Sequence, residues 1–198
     1  MKTVFNNNEL AHIWAGQTQS EGRAGSFYFN GKTIYSYGGH FPIATMEGNN
    51  VLFTMRTYSN TTAKHIRDVR QAISHKNIIY CYDVPTSIKY ASSENENNLN
   101  RWKREVKAIF DELGNKRIRD TQSRISAIQS HINKLQAYCS YFKLKVTDKE
   151  LKNLLKLAQT DNFIESARLA KDKANEAEKN KSKLAVKAYS KYLELWRN

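Results

Sequence analysis

The stretch "FTMRTYSNTTAKHIRD", residues 53–68, gathers more hydroxyls and cations than a helix start requires. Arg56, Ser59, Thr61, Thr62, Lys64 and His65 crowd the point where apolar alternation gives way to helical spacing. One hydroxyl is enough to cap a helix. A helix N-terminus also presents unpaired N–H groups and a partial positive charge, which together hold anions. These six residues are therefore read as a phosphate-binding set. The plainer alternative is that one hydroxyl caps the helix while the others are solvated. No Gly-rich Walker pattern accompanies them, so a nucleotide-hydrolysing loop is not expected.

Three other constellations bear on chemistry. Tyr35, Tyr37 and Tyr58, together with Tyr28, alternate onto one side of their segments with Arg56 among them. That pattern suits bases stacking beside a phosphate contact, and it equally suits rings packed beneath a helix. His40 and His65, with Arg56 and Tyr58, have the groups for metal-independent phosphodiester cleavage, one imidazole taking a proton and the other giving one. Nothing in their linear spacing shows that they meet. Residues 115–145 carry seven cations against Asp120 alone, and Arg117, Arg119, Arg124 and Lys134 are the candidates for contacts to a nucleic-acid backbone. There is no H-E-x-x-H, no paired C-x-x-C and no cluster of acidic residues, so neither a metal centre nor a cofactor is expected. Cys81 and Cys139 lie far apart without ligand spacing and read as reduced thiols of a cytosolic protein.

The elements that position these groups differ between the two halves. Leu10, Ile13, Trp14 and Gln17 step at helical spacing after asparagines able to cap. Asn30-Gly31 reads as a hairpin turn, setting Phe29 opposite Lys32, Tyr28 opposite Thr33 and Phe27 opposite Ile34. A second hairpin is expected around Glu47-Gly48-Asn49-Asn50. Its Val51, Phe53 and Met55 point to the core, with Thr54, Arg56 and Tyr58 on the other face. A helix from about Asn60 has Ala63, Ile66, Val69 and Ile73 as its buried stripe, and "NIIYCYDVP" reads as a final strand. The first half is thus α+β: a small antiparallel sheet with one face covered by flanking helices.

Beyond "PTSIKYASSENENN", residues 85–98, glycine and proline almost vanish and helical periodicity is continuous. The expected division is a head domain at 1–90 and a helical domain at 91–198. Leu99, Trp102, Val106, Ile109 and Leu113 form one stripe. A second runs from Ile118 through Ile125, Ile128, Ile132, Leu135 and Cys139 to Phe142, in the 3-4 alternation of a coiled-coil-like seam. "TDKE", residues 147–150, reads as a capping box opening a short helix. A long helix with an Ala-rich stripe follows from about residue 160. These elements predict an all-α antiparallel bundle or coiled-coil-like hairpin, able to form a homodimer seam.

Across 198 residues, 32 basic side chains stand against 19 acidic ones, for a net charge of +13. Such a surplus favours polyanionic partners through counterion release. Residues 1–91 hold nine basic and five acidic groups, and residues 92–198 hold 23 and 14. The apolar runs fall short of the roughly 20 residues a spanning helix needs. "MKTVFNNN" lacks the apolar core of a signal peptide. A membrane partner is accordingly not expected.

Residues 5–85 also resemble a family of small uncharacterised proteins encoded by bacteriophages and other mobile elements. The likeness rests on His12-Ile13-Trp14-Ala15, Gly22-Arg23, Tyr35-Ser36-Tyr37-Gly38, His40-Phe41-Pro42-Ile43-Ala44 and Tyr58-Ser59-Asn60-Thr61-Thr62-Ala63-Lys64-His65. It implies a protein of the infected bacterial cytoplasm, concerned with nucleic-acid handling or with interference in host defence, and it supplies no mechanism. The leading expectation is a non-enzymatic, nucleic-acid-binding accessory protein, for RNA or DNA. One rival is a histidine-dependent phosphodiesterase or RNase. Another is a protein-interaction module directed at a host defence complex, or a virion component.

Overall fold

Asn6 opens the first helix of the computed structural model by accepting, through its side-chain oxygen, the backbone N–H of Glu9 at 2.8 Å. The structure describes residues 2–86, 91–113, 121–157 and 163–197. Helix α1 (Asn7–Gly16) buries Leu10, Ala11, Trp14 and Ala15 and ends where Gln17 turns left-handed. The Trp14 indole N–H donates to the Lys32 carbonyl, tying α1 to the sheet.

Six strands form that sheet in sequence order: β1 (Glu21–Ala24), β2 (Phe27–Asn30), β3 (Thr33–Ser36), β4 (Pro42–Glu47), β5 (Asn50–Thr54) and β6 (Asn77–Cys81). The first five pair antiparallel, while β6 lies parallel to β5. The parallel pair is joined by helix α2 (Asn60–Ala72), as a crossover connection requires. Strand β1 was not foreseen. Its Gly22 leaves room for its neighbours: a Cβ there would meet Phe29 at 2.8 Å, Phe5 at 3.0 Å and Leu10 at 3.1 Å.

The first hairpin is displaced from the expected register. Asn30 pairs with Thr33, Phe29 with Ile34 and Tyr28 with Tyr35, so the loop residues are Gly31 and Lys32. Gly31 takes the left-handed position (φ 54°), and a turn with glycine first needs no second residue of that kind. The displacement equals two residues along the partner strand, so every side chain keeps its face. The second hairpin closes at Glu47 and Asn50 around Gly48. Between β3 and β4 the register slips at Ile34/Tyr35, and Ile43 and Ala44 are both buried.

Both faces of the sheet are covered, which corrects the expectation of one. Phe27, Phe29, Ile34, Val51 and Phe53 pack with α1, with Val69 and Ala72 of α2 and with Ile73 at its C-terminal cap. On the other face Leu52, Ile79, Cys81 and Val84 form a second core around Tyr138. Thr54 belongs to this buried side, donating to the Tyr82 carbonyl at 3.1 Å. Leu52, Ile79 and Cys81 have too little polarity for a solvated face, and helix α4 (Thr121–Tyr141) supplies the cover. Helix α3 (Ala91–Leu113) contributes Asn98, fully buried, which accepts the N–H groups of Tyr82 and Asp83 and donates to the Asp83 carbonyl.

The chain divides into two compact units, one of Met1–Lys103 with Asn133–Lys145, the other of Arg104–Ile132 with Val146–Asn198. In the second unit Phe110 and Ile128 make a small core with Ile109, Ile125 and Leu154. Lys107 pairs with Glu150, and Arg124 with Glu112, each at 2.7 Å. Helix α5 (Lys149–Leu157) is capped by Asp148, which accepts the Leu151 N–H at 2.8 Å, rather than by Thr147. Asp148 is the residue whose carboxylate stands over the first free N–H groups. Helix α6 (Phe163–Arg197) follows and exposes Leu184, Val186, Tyr189 and Tyr192. The start of the α4 seam at Ile118 lies outside the described residues. Among those described, no helix is long and apolar enough to cross a membrane.

Candidate nucleic-acid interface

The hydroxyl cluster at the start of α2 is largely turned inward. Ser59 is the cap: its oxygen accepts the Thr62 N–H at 3.2 Å and lies 3.1 Å from the Thr62 hydroxyl. Thr62 and His65 are only 1% and 2% exposed. The Ser36 hydroxyl reaches both, at 3.4 Å from Thr62 Oγ1 and 2.8 Å from His65 Nδ1. The His65 ring stacks on Phe27 with centroids 4.4 Å apart, and burial pushes its pKa below the ordinary histidine value while Asp68 opposes the shift. Thr62 and His65 thus belong to the seam between α2 and β3, and the α2 stripe is Thr62, His65, Ile66, Val69, Ala72 and Ile73, with Ala63 outside. Thr61 and Lys64 remain exposed beside the cap.

Arg56 stands apart from that cluster. Its guanidinium donates to Asp83 at 2.8 Å and lies 5.5 Å from the centre of the Phe41 ring. Phe41 in turn lies 6.0 Å from the ring of Tyr58, which is 78% exposed. Arg56 and Phe41 border a cleft of about 260 Å³ walled also by Gly39, His40, Tyr82, Asp83 and Glu94, among others. His40 is exposed there, whereas His65 is occupied with Ser36 and Phe27. The two histidines thus have different surroundings, His40 at the cleft and His65 against Ser36 and Phe27.

The tyrosines do not form one platform. Tyr28 and Tyr35 stack on each other at 5.1 Å. Tyr37 leaves the strand with φ 53° and approaches His65 at 6.3 Å. Tyr58 sits by Phe41. Strand alternation placed Tyr37 with Tyr35, but the left-handed backbone at Tyr37 breaks that alternation.

A different convergence of charge is present at β6. Arg70 of α2 and Lys134 of α4 lie over the same ring, Tyr80, at 5.9 and 4.8 Å. Burial first, and then the charge of Arg70, lowers the Lys134 pKa from the usual lysine range. Among the described residues neither cation makes an ion pair with a carboxylate. Lys64, Arg67 and Arg70 are all exposed along α2; Arg67 lies 3.9 Å from Asp68, at the limit of pairing. Of the other cations proposed for backbone contacts, Arg124 is paired with Glu112, and Arg117 and Arg119 lie outside the described residues.

Sequence reasoning named Lys134 but missed its partners Arg70 and Tyr80, and it missed Asp83 and Glu94 at the cleft. A signal existed for the first group. Strand, helix and strand at residues 50–81 have the spacing of a parallel crossover, which brings the end of α2 back over the final strand.

A family described as a family of unknown function, DUF8033, matches residues 8–84. This stretch runs from α1 to just beyond β6, and it contains Arg56, Arg70, Tyr80 and Asp83 but neither Glu94 nor Lys134. No curated protein and no solved structure matches the chain.

Proposed function

We propose that this chain is a nucleic-acid-binding accessory protein of bacteriophage or mobile-element origin that holds the phosphate backbone on the face shared by α2 and the end of α4. The observation that carries this reading is the convergence of Arg70 and Lys134, from separate elements, on Tyr80 without a neutralising carboxylate among the described residues. Like charges held together raise the free energy of the empty protein, and a polyanion relieves that cost. Lys64 and Arg67 extend the cationic line along α2, and Thr61 adds a hydroxyl beside its N-terminus. Arg56 and Ser59, named with them from the sequence, act here as a cleft wall and a helix cap.

Catalysis is given no part in the proposal. A two-histidine mechanism needs both imidazoles at one phosphate, and His65 is buried against Phe27 with Nδ1 at Ser36. The test is a binding titration of labelled single- and double-stranded oligonucleotides against the wild type and the Arg70→Gln/Lys134→Gln pair. The reading expects retained folding and affinity weakened at least tenfold in the double variant. Equal affinity in the two proteins, or no binding by either, contradicts it.

A further inference from the structure

The cleft beside Arg56 has features that backbone binding does not use. It lies at the carboxyl ends of the parallel pair β5 and β6, the position where open sheets with parallel strands commonly receive ligands. Its apolar boundary combines two rings, Phe41, with the Arg56 guanidinium over it, and Tyr82, with Pro42 and Val84. Its polar side chains include two carboxylates, Asp83 and Glu94, beside Arg56, His40 and Thr86. Asp83 is already engaged by Arg56, through one carboxylate oxygen at 2.8 Å. Glu94, in the first turn of α3, is different: its Oε2 is buried and has no hydrogen-bond partner among the described residues. Burial, and secondarily Asp83, pushes the Glu94 carboxyl above the ordinary glutamate range.

A buried acceptor left without a donor is costly, and a ligand that supplies the donor recovers that cost. A carboxylate can accept two parallel N–H bonds from one planar group. Among the common bases, guanine alone offers two adjacent donors on its pairing edge, N1–H and the 2-amino group. Adenine and cytosine set a ring-nitrogen acceptor beside their amino group, and uracil or thymine flanks its single N–H with two carbonyls. Each of these would place a lone pair against the carboxylate. A volume of about 260 Å³ sits just below the range of drug-sized sites, which suits one base rather than a longer segment.

We propose that this cleft is a guanine pocket for an unpaired base of the bound nucleic acid, with the Glu94 carboxylate accepting from N1–H and the 2-amino group and Phe41, Arg56 and Tyr82 enclosing the ring. The inference rests on the nucleic-acid reading above and adds to it single-stranded character and a base preference. Phosphates lie along α2, and the pocket reads one base.

Fluorescence anisotropy on the full chain tests it, with twelve-nucleotide thymidine oligonucleotides carrying three separated guanines, inosines or adenines. The guanine oligonucleotide should bind about tenfold more tightly than the adenine one, the scale of a good bidentate base contact. Inosine, which lacks the 2-amino group, should fall between them. In Glu94→Gln the preference should shrink to within about twofold while binding of plain thymidine oligonucleotide is unchanged. A thermal melt no lower than that of the wild type confirms that this variant folds. Equal affinity for guanine and adenine in the wild type, or a preference that survives Glu94→Gln, overturns the pocket but leaves backbone binding intact. Failure to bind any oligonucleotide overturns the reading on which the pocket rests.

Discussion

His65 shows how a residue with catalytic chemistry can be spent on structure. Its ring is stacked on Phe27 and bonded to Ser36, and it is held neutral by burial. Its folded pKa lies below the unfolded value of about 6.5. The unfolded chain therefore takes up the proton first, and stability falls as pH drops below 6.5 towards the folded pKa. Thermal melts between pH 7.5 and 5.5 should show a loss in Tm that is reduced in His65→Phe; an equal loss in that variant would remove this role. Asn98 is a second residue with a structural task. Asn98→Ala strips an acceptor from two backbone N–H groups, at a cost of roughly 2–3 kcal/mol, which urea unfolding measures. Gly22→Ala forces a Cβ to within 2.8 Å of the Phe29 ring and should cost about 1–3 kcal/mol by overpacking. These roles were not legible beforehand. His65 and Thr62 looked functional because a linear sequence shows polarity without showing Ser36, 29 and 26 residues earlier, as their partner.

At the scale of elements, periodicity carried further. The stripe from Ile125 to Leu135 marked α4, and Gly48 marked the second hairpin. The register of the first hairpin was displaced by two because glycine can occupy either central turn position, while the period of two hid the error from every face assignment. The second buried face was the larger omission. Leu52, Ile79 and Cys81 alternate with the first core, yet their cover comes from residues 138–144, too distant in sequence to be inferred from local pattern. That difference in burial yields a contrast among the helices. Ile128→Ala removes a fully buried side chain from the small α3–α4 core and should cost about 2–5 kcal/mol. Leu184→Ala, at an exposed site on α6, should change stability by no more than about 0.5 kcal/mol. Denaturant midpoints of the two variants check both values, and a large loss at Leu184 would mean that α6 is covered in solution.

At the scale of the whole molecule the surplus of +13 is the property most visible in the sequence and the least specific. Charge becomes informative where folding concentrates it, as Tyr80 does by receiving one cation from α2 and one from α4. The crossover between parallel strands makes that meeting, and it also sets the Arg56 cleft at the strands' carboxyl ends. Backbone binding is sequence-tolerant and salt-sensitive, whereas a base pocket is neither. The two contributions can therefore be separated in one protein. The most direct measurement is the affinity for a single-stranded oligonucleotide across a series of salt concentrations. Each lost phosphate contact reduces the slope of log affinity against log salt by roughly 0.7. A steep decline is expected for the wild type, with a slope shallower by about 1.4 for Arg70→Gln/Lys134→Gln. An affinity indifferent to salt, or the same slope in both proteins, would contradict it.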